Sequence, residues 1–398
     1  MPAPAWMATI PNNGLTLKEL TLPASHDAGV SDVHNDSKNL GTLIDAGRYI
    51  CQSQDIAGQL NSGARFFDLR FSMKTSGNGL RVLAGVSQAM AMTMPLGGPA
   101  TGSGTGLGEW DTGTATTVHE TAGSGGWGET AQSVFKAIDA HLRVNTQEIV
   151  IVRVSHTDST AGAEVVKQQQ ACLAATRTYT GPAGQNLANV PIRSLRGKAI
   201  VAYASDALAA PDPTHGTFRF GKASSAGRVG IVTCGEFPNS DDMALIFYKS
   251  VKRTNEHRRN AGQSCNSHTP LAANDHLFML YWQMTGGIVR DNTLRGGGPV
   301  AVAAATPRPA LGVDSGNGTH YNLSWLLATL EGSVPGNSTH GHTFKADSTQ
   351  ARPLADLHRY RWVPNLINLD FVNDAVCAAI IAFNQRSLTD AGQWIVVA

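Results

Sequence analysis

His26 and Asp27 stand side by side in the stretch Leu20-Thr21-Leu22-Pro23-Ala24-Ser25-His26-Asp27-Ala28-Gly29-Val30. An imidazole beside a carboxylate is a tunable proton-transfer unit; the plainer alternative is a loop histidine next to a helix-capping aspartate. Four more residues of the right types fall at or near the ends of expected strands: Asp68, Arg70, His119 and Asp370. Two histidines, carboxylates to orient them and one arginine suit phosphodiester cleavage. One group deprotonates an attacking hydroxyl, one protonates the leaving oxygen, and a fixed cation meets the developing phosphate charge. Singly, each has a bland reading. Asp68 and Arg70, two apart on one side of a strand, would neutralise each other, His119 would be structural, and Asp370 would be a hydrogen-bonded strand-end residue. The joint pattern carries the weight.

Strands must bring these residues together. Leu20 to Leu22 alternates apolar and polar like a short strand, and Pro23 denies a helix before Ser25. A helix over Gln54–Asn61 stops at Gly63, and Ala64–Phe71 reads as a second strand with an aromatic core. Thr116–His119 reads as a third and Glu148–Ser155, nearly all β-branched, as a buried fourth. Lys198–Ala204, Val229–Cys234, Leu277–Met284 and Leu366–Val372 supply the fifth to eighth. Helices are expected at Glu129–Leu142, Ala161–Ala175, Asp241–Glu256 and Asn373–Gln385. Eight strands with intervening helices argue for a closed (β/α)8 barrel, a distorted TIM barrel with loop insertions, in which the eighth strand closes onto the first. An open doubly wound sheet competes, but neither GxGxxG after the first strand nor GxxxxGK[ST] occurs. The chain reads as one domain over residues 1–398, with a Gly/Thr-rich insertion around 72–117 and a long irregular segment around 286–362.

At 398 residues with 42% hydrophobic and 15% charged, the chain can bury a large core and is not disordered. A net charge of +1 leaves no electrostatic footprint for nucleic acid, and none is expected as a partner. The five cysteines, at 51, 172, 234, 265 and 377, show no spacing suited to a metal cage, and one disulfide stays open. No apolar run reaches a membrane span. The N-terminus lacks a signal peptide's basic region and apolar core, so the chain is made without one or has had an export signal trimmed; secretion and a cytoplasmic place both stay open.

The residues resemble a family. Leu22-Pro23-Ala24-Ser25-His26-Asp27-Ala28-Gly29 is similar to the opening motif of the bacterial-type phosphatidylinositol-specific phospholipase C X domain, in which Pro-Gly-Thr-His-Asp-Ser-Gly is usual. Trp6-Met7, the run from Gln59-Leu60 to Arg65-Phe66-Phe67-Asp68-Leu69-Arg70, Glu148-Ile149-Val150-Ile151 and Asn368-Leu369-Asp370-Phe371-Val372 fall in the family's order. The resemblance implies a barrel that cleaves a phospholipid by intramolecular attack, giving diacylglycerol and a cyclic inositol phosphate. His26 would be the base, oriented by Asp370. His119, supported by Asp27, would be the acid, Arg70 would neutralise the phosphate, and Asp68 would help hold the site. A guanidinium at Arg70, where the calcium-dependent branch places acidic ligands, implies no calcium, no metal and no cofactor. The expected partner is phospholipid at a membrane surface, met transiently by a monomer that is secreted or delivered outside the producing cell.

Departures bear on detail. Glu120 follows His119 where the family often has Gly, and His34, His141 and His156 compete for the acid role, His156 lying just past the fourth strand. The end of the fifth strand carries Tyr203 and Ser205 in place of an arginine, which bears on headgroup choice. Glu236, Trp282, Gln283 and Tyr203 are the candidate substrate contacts, Trp282 being also a candidate filler of the barrel. Met90, Met92, Met94 and Leu96 alternate with small residues, as a core-packed strand or a bilayer-dipping loop edge would. Two other readings stand beside this one. A glycerophosphodiester phosphodiesterase would usually need a divalent metal, and its His-Arg-Gly and Glu-x-Asp patterns are missing. A catalytically inactive X-domain module would bind lipid or protein.

Overall fold

Ile149-Val150-Ile151-Val152 is a run of β-branched residues with no polar face, and it is buried along its whole length as a central strand. The computed structural model describes residues 4–10, 14–31, 36–37, 51–74, 114–121, 124–157, 162–205, 209–222, 229–235, 237, 249–250, 253, 276–282, 364–382, 384, 386–388 and 394–396. In chain order the strands are β1 (Leu22–Ser25), β2 (Asp36–Ser37), β3 (Phe66–Met73), β4 (Ala115–Thr121), β5 (Ser124–Thr130), β6 (Ile149–Ser155), β7 (Lys198–Tyr203), β8 (Thr217–Lys222), β9 (Ile231–Cys234), β10 (Leu277–Trp282), β11 (Leu366–Leu369), β12 (Arg386–Leu388) and β13 (Trp394–Val396).

Eight of these close into a parallel α/β barrel of the TIM type, in the order β1, β3, β6, β7, β8, β9, β10, β11. Closure is at β1, which pairs parallel with β11 (Leu22↔Leu366) on one side and with β3 (Ala24↔Phe66) on the other. Pro23, which has no N–H to give, stands just before the β1–β3 pairing begins at Ala24, and its carbonyl accepts from Arg65 N–H at 3.0 Å. Inside the barrel Phe66 meets Phe220 at 6.2 Å between ring centroids, and the Arg153 guanidinium lies 4.9 Å over the Phe220 ring.

Helices form where the sequence supplies caps. Asp55 caps Ile56–Ser62 by accepting from Gly58 N–H, and Gly63, at φ 111°, ends it. Thr130 caps Ala131–Val144, and Asn373 caps Asp374–Ile381 by accepting from the N–H groups of Ala375 and Val376. Gly162–Ala174 packs beside the helix Ala131–Val144. Between β7 and β8 the only helical element among the described residues is the short turn Pro213–His215, one source of the barrel's distortion.

One strand expectation is corrected. The segment around Thr116–His119 is not a barrel strand. It belongs to β4, which runs antiparallel to the top of β3 (Phe71↔Thr117) and forms a hairpin with β5. β3 outruns its parallel partners at the mouth, and its last residues find the hairpin instead. The eighth barrel strand is β8, Thr217-Phe218-Arg219-Phe220-Gly221-Lys222, which the sequence reading passed over. The hairpin also closes the expected 72–117 insertion with regular structure. Residues 75–113, which include the Met90 to Leu96 stripe, and residues 283–363, which include the expected irregular segment, lie outside the described residues, as does most of the Asp241–Glu256 helix expectation.

The bottom of the barrel is tied by a buried ion pair. Arg65 Nε donates to Glu148 Oε2 at 2.6 Å with both side chains fully buried, and Arg65 also donates to the carbonyls of Leu60, Ala64 and Pro4. Glu148 Oε1 accepts from Met7 N–H at 2.8 Å, and Trp6 Nε1–H donates to the Gly63 carbonyl at 3.1 Å. The N-terminal segment is thereby stitched across the starts of β3 and β6. Burial pulls Arg65 below its ordinary pKa and pushes Glu148 above its own, although each partner opposes the shift of the other. Because desolvation offsets much of the attraction, losing one partner costs more than the pair contributes. Glu148→Ala should therefore lower unfolding stability by about 3–5 kcal/mol in urea denaturation; an unchanged midpoint would contradict this role.

Candidate active site

The exits of β1, β3 and β11 converge at the carboxyl end of the barrel. His26 follows β1, and its N–H donates to the Leu369 carbonyl at 2.9 Å. Asp27 then takes a left-handed conformation, φ 41°, which a non-glycine residue holds only when its surroundings over-determine it. Those surroundings are specific. Ala28 N–H donates to the Asp68 carbonyl, and the Gln59 amide donates to the Ala28 carbonyl while its Oε1 accepts from Ser25 Oγ. The fully buried Gln52 donates to the carbonyls of His26 and Leu369 and accepts from Val372 N–H, locking the exits of β1 and β11 together. Gly29 is required by close approach: a Cβ there would strike the side chain of Thr117 on β4.

His26 Nδ1 lies 2.8 Å from Asp370 Oδ1, and its Nε2 lies 3.3 Å from Asp27 Oδ2 and 3.3 Å from Arg70 Nη2. Arg70 Nε makes an ion pair with Asp27 Oδ1 at 2.7 Å. The Asp27 side chain is fully buried and that of Asp370 4% exposed, whereas His26 is 12% and Arg70 21% exposed, so the imidazole and the guanidinium face the opening. Burial pulls the pKa of His26 down. Asp27 and Asp370 together outweigh burial and the opposing Arg70 charge, and the net pKa lies above the ordinary 6.5. Its ion pairs therefore stabilise the fold fully below the unfolded value of about 6.5, and that contribution is lost as pH rises through the folded value.

Asp68 does not neutralise Arg70. Its carboxylate contacts Arg153 Nη1 at 3.3 Å and accepts from Ser155 Oγ at 3.2 Å, both on the neighbouring β6. Among the described residues Arg70 pairs with Asp27 and approaches His26. Arg153, Ser155 and Gln52 escaped the sequence reading. Arg153 and Ser155 sit within the β-branched run at the same parity as Asp68 across the register, a signal visible only once β3 and β6 are paired.

His119 lies on β4, its backbone paired with Gly126. Contact between Thr117 and Gly29, together with Glu129 N–H donating to the Gly29 carbonyl at 2.9 Å, sets this hairpin against the turn that carries His26 and Asp27. Among its competitors, His141 sits near Arg65, and burial and that charge push it down to about 3. His156 is exposed with φ 50°, at the exit of β6. His34, Glu236 and Gln283 lie outside the described residues.

Tyr203 and Trp282 are the last residues of β7 and β10, and both are buried. Trp282 is fully buried and in register with Leu369 and, through it, Ser25, whose hydroxyl points outward to Gln59. Tyr203, 2% exposed, pairs with Val154 and Arg219; its neighbour Ala202 shares the register of Arg153, whose side chain lies inside. Strand alternation thus turns both Tyr203 and Trp282 off the barrel axis, correcting the expectation that they touch substrate. Burial pushes the Tyr203 hydroxyl up to about 12.

The arrangement can do acid–base chemistry on an anion: a neutral imidazole with Nδ1–H donated to Asp370 presents a basic Nε2 beside a guanidinium. Asp370→Asn should lower the pKa of His26, read as its imidazole proton shifts by NMR; a titration midpoint that stays put or rises would contradict the pairing.

No family model matches the chain, and no curated protein matches it by sequence. Among solved structures it is similar to the phosphatidylinositol-specific phospholipase C from Listeria monocytogenes, at 13% identity, with 96% of this chain and 98% of that chain covered and a TM-score of 0.52. A double mutant of the phosphatidylinositol-specific phospholipase C from S. aureus follows at 13% identity, with 96% of each chain covered and a TM-score of 0.48. At such identity the Listeria likeness shows the fold, a TIM-like α/β barrel.

Proposed function

We propose that this chain is a phosphodiesterase that cleaves phosphatidylinositol-type phospholipid to diacylglycerol and a cyclic inositol phosphate without a metal. The observation that carries the reading is His26 held at 2.8 Å by Asp370, with Arg70 3.3 Å from its other nitrogen, at the mouth of a parallel barrel. The fold shared with the Listeria enzyme supports the substrate class.

His26 Nε2 takes the proton from the inositol 2-hydroxyl, whose oxygen attacks phosphorus. The phosphorus–oxygen bond to diacylglycerol breaks, and that oxygen leaves with a proton from His119. Arg70 meets the charge gathering on the non-bridging oxygens. Asp27 has a different part from the one the family resemblance gives it: it fixes Arg70 and faces His26, so cation and base move as a unit. Arg153, half-buried and held by Asp68, forms the polar floor that receives headgroup hydroxyls. A slower attack by water opens the cyclic ester, with the same two groups exchanging roles.

The enzyme works as a monomeric single-domain barrel that meets its lipid at a membrane surface from outside the producing cell. Cys234 is disulfide-bonded, which suits an oxidising compartment. No helix among the described residues is long and apolar enough to cross a membrane.

Phosphorus NMR of phosphatidylinositol micelles tests the reading. A cyclic phosphate signal should appear in EDTA as fast as with calcium, and His26→Ala should slow it by about 10²–10⁴-fold. No cyclic product under either condition would overturn the proposal in favour of another diester or a binding module, and product only with calcium would overturn the role given to Arg70.

A further inference from the structure

Cys51 lies 24 residues from Asp27 in the chain but beside it in space. A ring nitrogen of His26, a carboxylate oxygen of Asp27 and the Cys51 sulfur lie within 4.8 Å of one another. The Cys51 backbone is fixed between the two exits that deliver His26 and Asp370: its N–H donates to the Val30 carbonyl at 3.1 Å, and its carbonyl accepts from Phe371 N–H at 2.7 Å. Cys51 is buried and not disulfide-bonded. The reaction proposed above has no use for this thiol.

From this geometry we propose that His26, Asp27 and Cys51 form a site for one thiophilic divalent cation of the zinc class, and that its binding switches the acid–base site off. Nitrogen, oxygen and thiolate sulfur are the donors zinc takes. Two ligands at the usual distances from a tetrahedral zinc stand roughly 3.4 Å apart, and His26 Nε2 and Asp27 Oδ2 are 3.3 Å apart. Asp370 holds Nδ1, and the metal takes Nε2 in place of its contact with Arg70 Nη2 at 3.3 Å, the arrangement in which a carboxylate orients a metal-bound imidazole. Among the described residues charge also balances. Asp27, Asp370 and the Cys51 thiolate carry three negative charges against Arg70 and a dication, and the thiol proton goes to solvent on binding. Calcium and magnesium, which take oxygen ligands, are disfavoured by the sulfur. Arg70 keeps Asp27 Oδ1, while the lone pair that would serve as base is consumed.

The binding half of this proposal stands without the proposed function; the switching half rests on it. Chelator-stripped protein titrated with Zn²⁺ by calorimetry should bind one equivalent at this site. Co²⁺ in its place should give a thiolate-to-cobalt charge-transfer band. Cys51→Ser should abolish the band and weaken Zn²⁺ binding at least about tenfold, while Cys172→Ser should leave both. A parent protein with no thiolate band, or a band that survives Cys51→Ser, would overturn the site. Phosphodiesterase activity should fall in step with Zn²⁺ occupancy; activity undiminished at full occupancy would overturn the switch. A protein with no phosphodiesterase activity at all would overturn the function proposed above and leave calorimetry and absorbance to decide the site.

Discussion

The structure at the barrel mouth depends on one buried carboxylate. Asp27 carries a charge with no solvent around its side chain, a state that persists only when partners compensate it. Arg70 does so on one oxygen and His26 faces the other. Arg70 makes that contact from the last position at which β3 pairs with β6, opposite Ser155. The need for compensation also accounts for the left-handed backbone at Asp27, which aims the carboxylate inward and is held by Gln52, Gln59 and the Gly29–Thr117 contact.

The two ends of the barrel solve different problems with similar residues. At the bottom, Arg65 and Glu148 satisfy nearly all their polar atoms with each other and with backbone. At the mouth, charges are shared in chains, Asp370 to His26 to Asp27 to Arg70 and, one layer deeper, Ser155 to Asp68 to Arg153. Left-handed non-glycine residues at Asp27, His156 and Phe371 all lie just past barrel strands at this end. Strain collected on one rim, with ion pairs that stay partly open, is the pattern of a working face.

Much of this was legible in the chain. Seven of the eight barrel strands were readable from apolar runs, and the placement of His26 at a strand end followed from the Leu20–Leu22 alternation and Pro23. The Thr116–His119 segment misled because a four-residue alternating strand looks the same whether its partner is parallel or antiparallel; only the overhang of β3 decides. β8 was passed over because Arg219 and Gly221 break its apolar pattern, and the exposed Arg219 belongs to the outer side of the barrel. The partners of Asp68 were hidden for another reason. Its nearest sequence cation is Arg70, but the register of β3 against β6 presents Arg153 and Ser155, and local spacing carries no information about that register. Cys51 is the extreme case, since a cysteine in an unremarkable stretch becomes a neighbour of His26 only through the joined exits of β1 and β11.

If Asp27 makes the base and the cation one unit, the pair should fail as a unit. A double-mutant cycle on phosphodiester cleavage, with Asp27→Ala, Arg70→Ala and both together, tests this directly. The account predicts that the double variant is no more than about tenfold slower than the slower single variant, as for residues acting through one another. Losses that multiply across the two substitutions would show Asp27 and Arg70 acting independently and would contradict it.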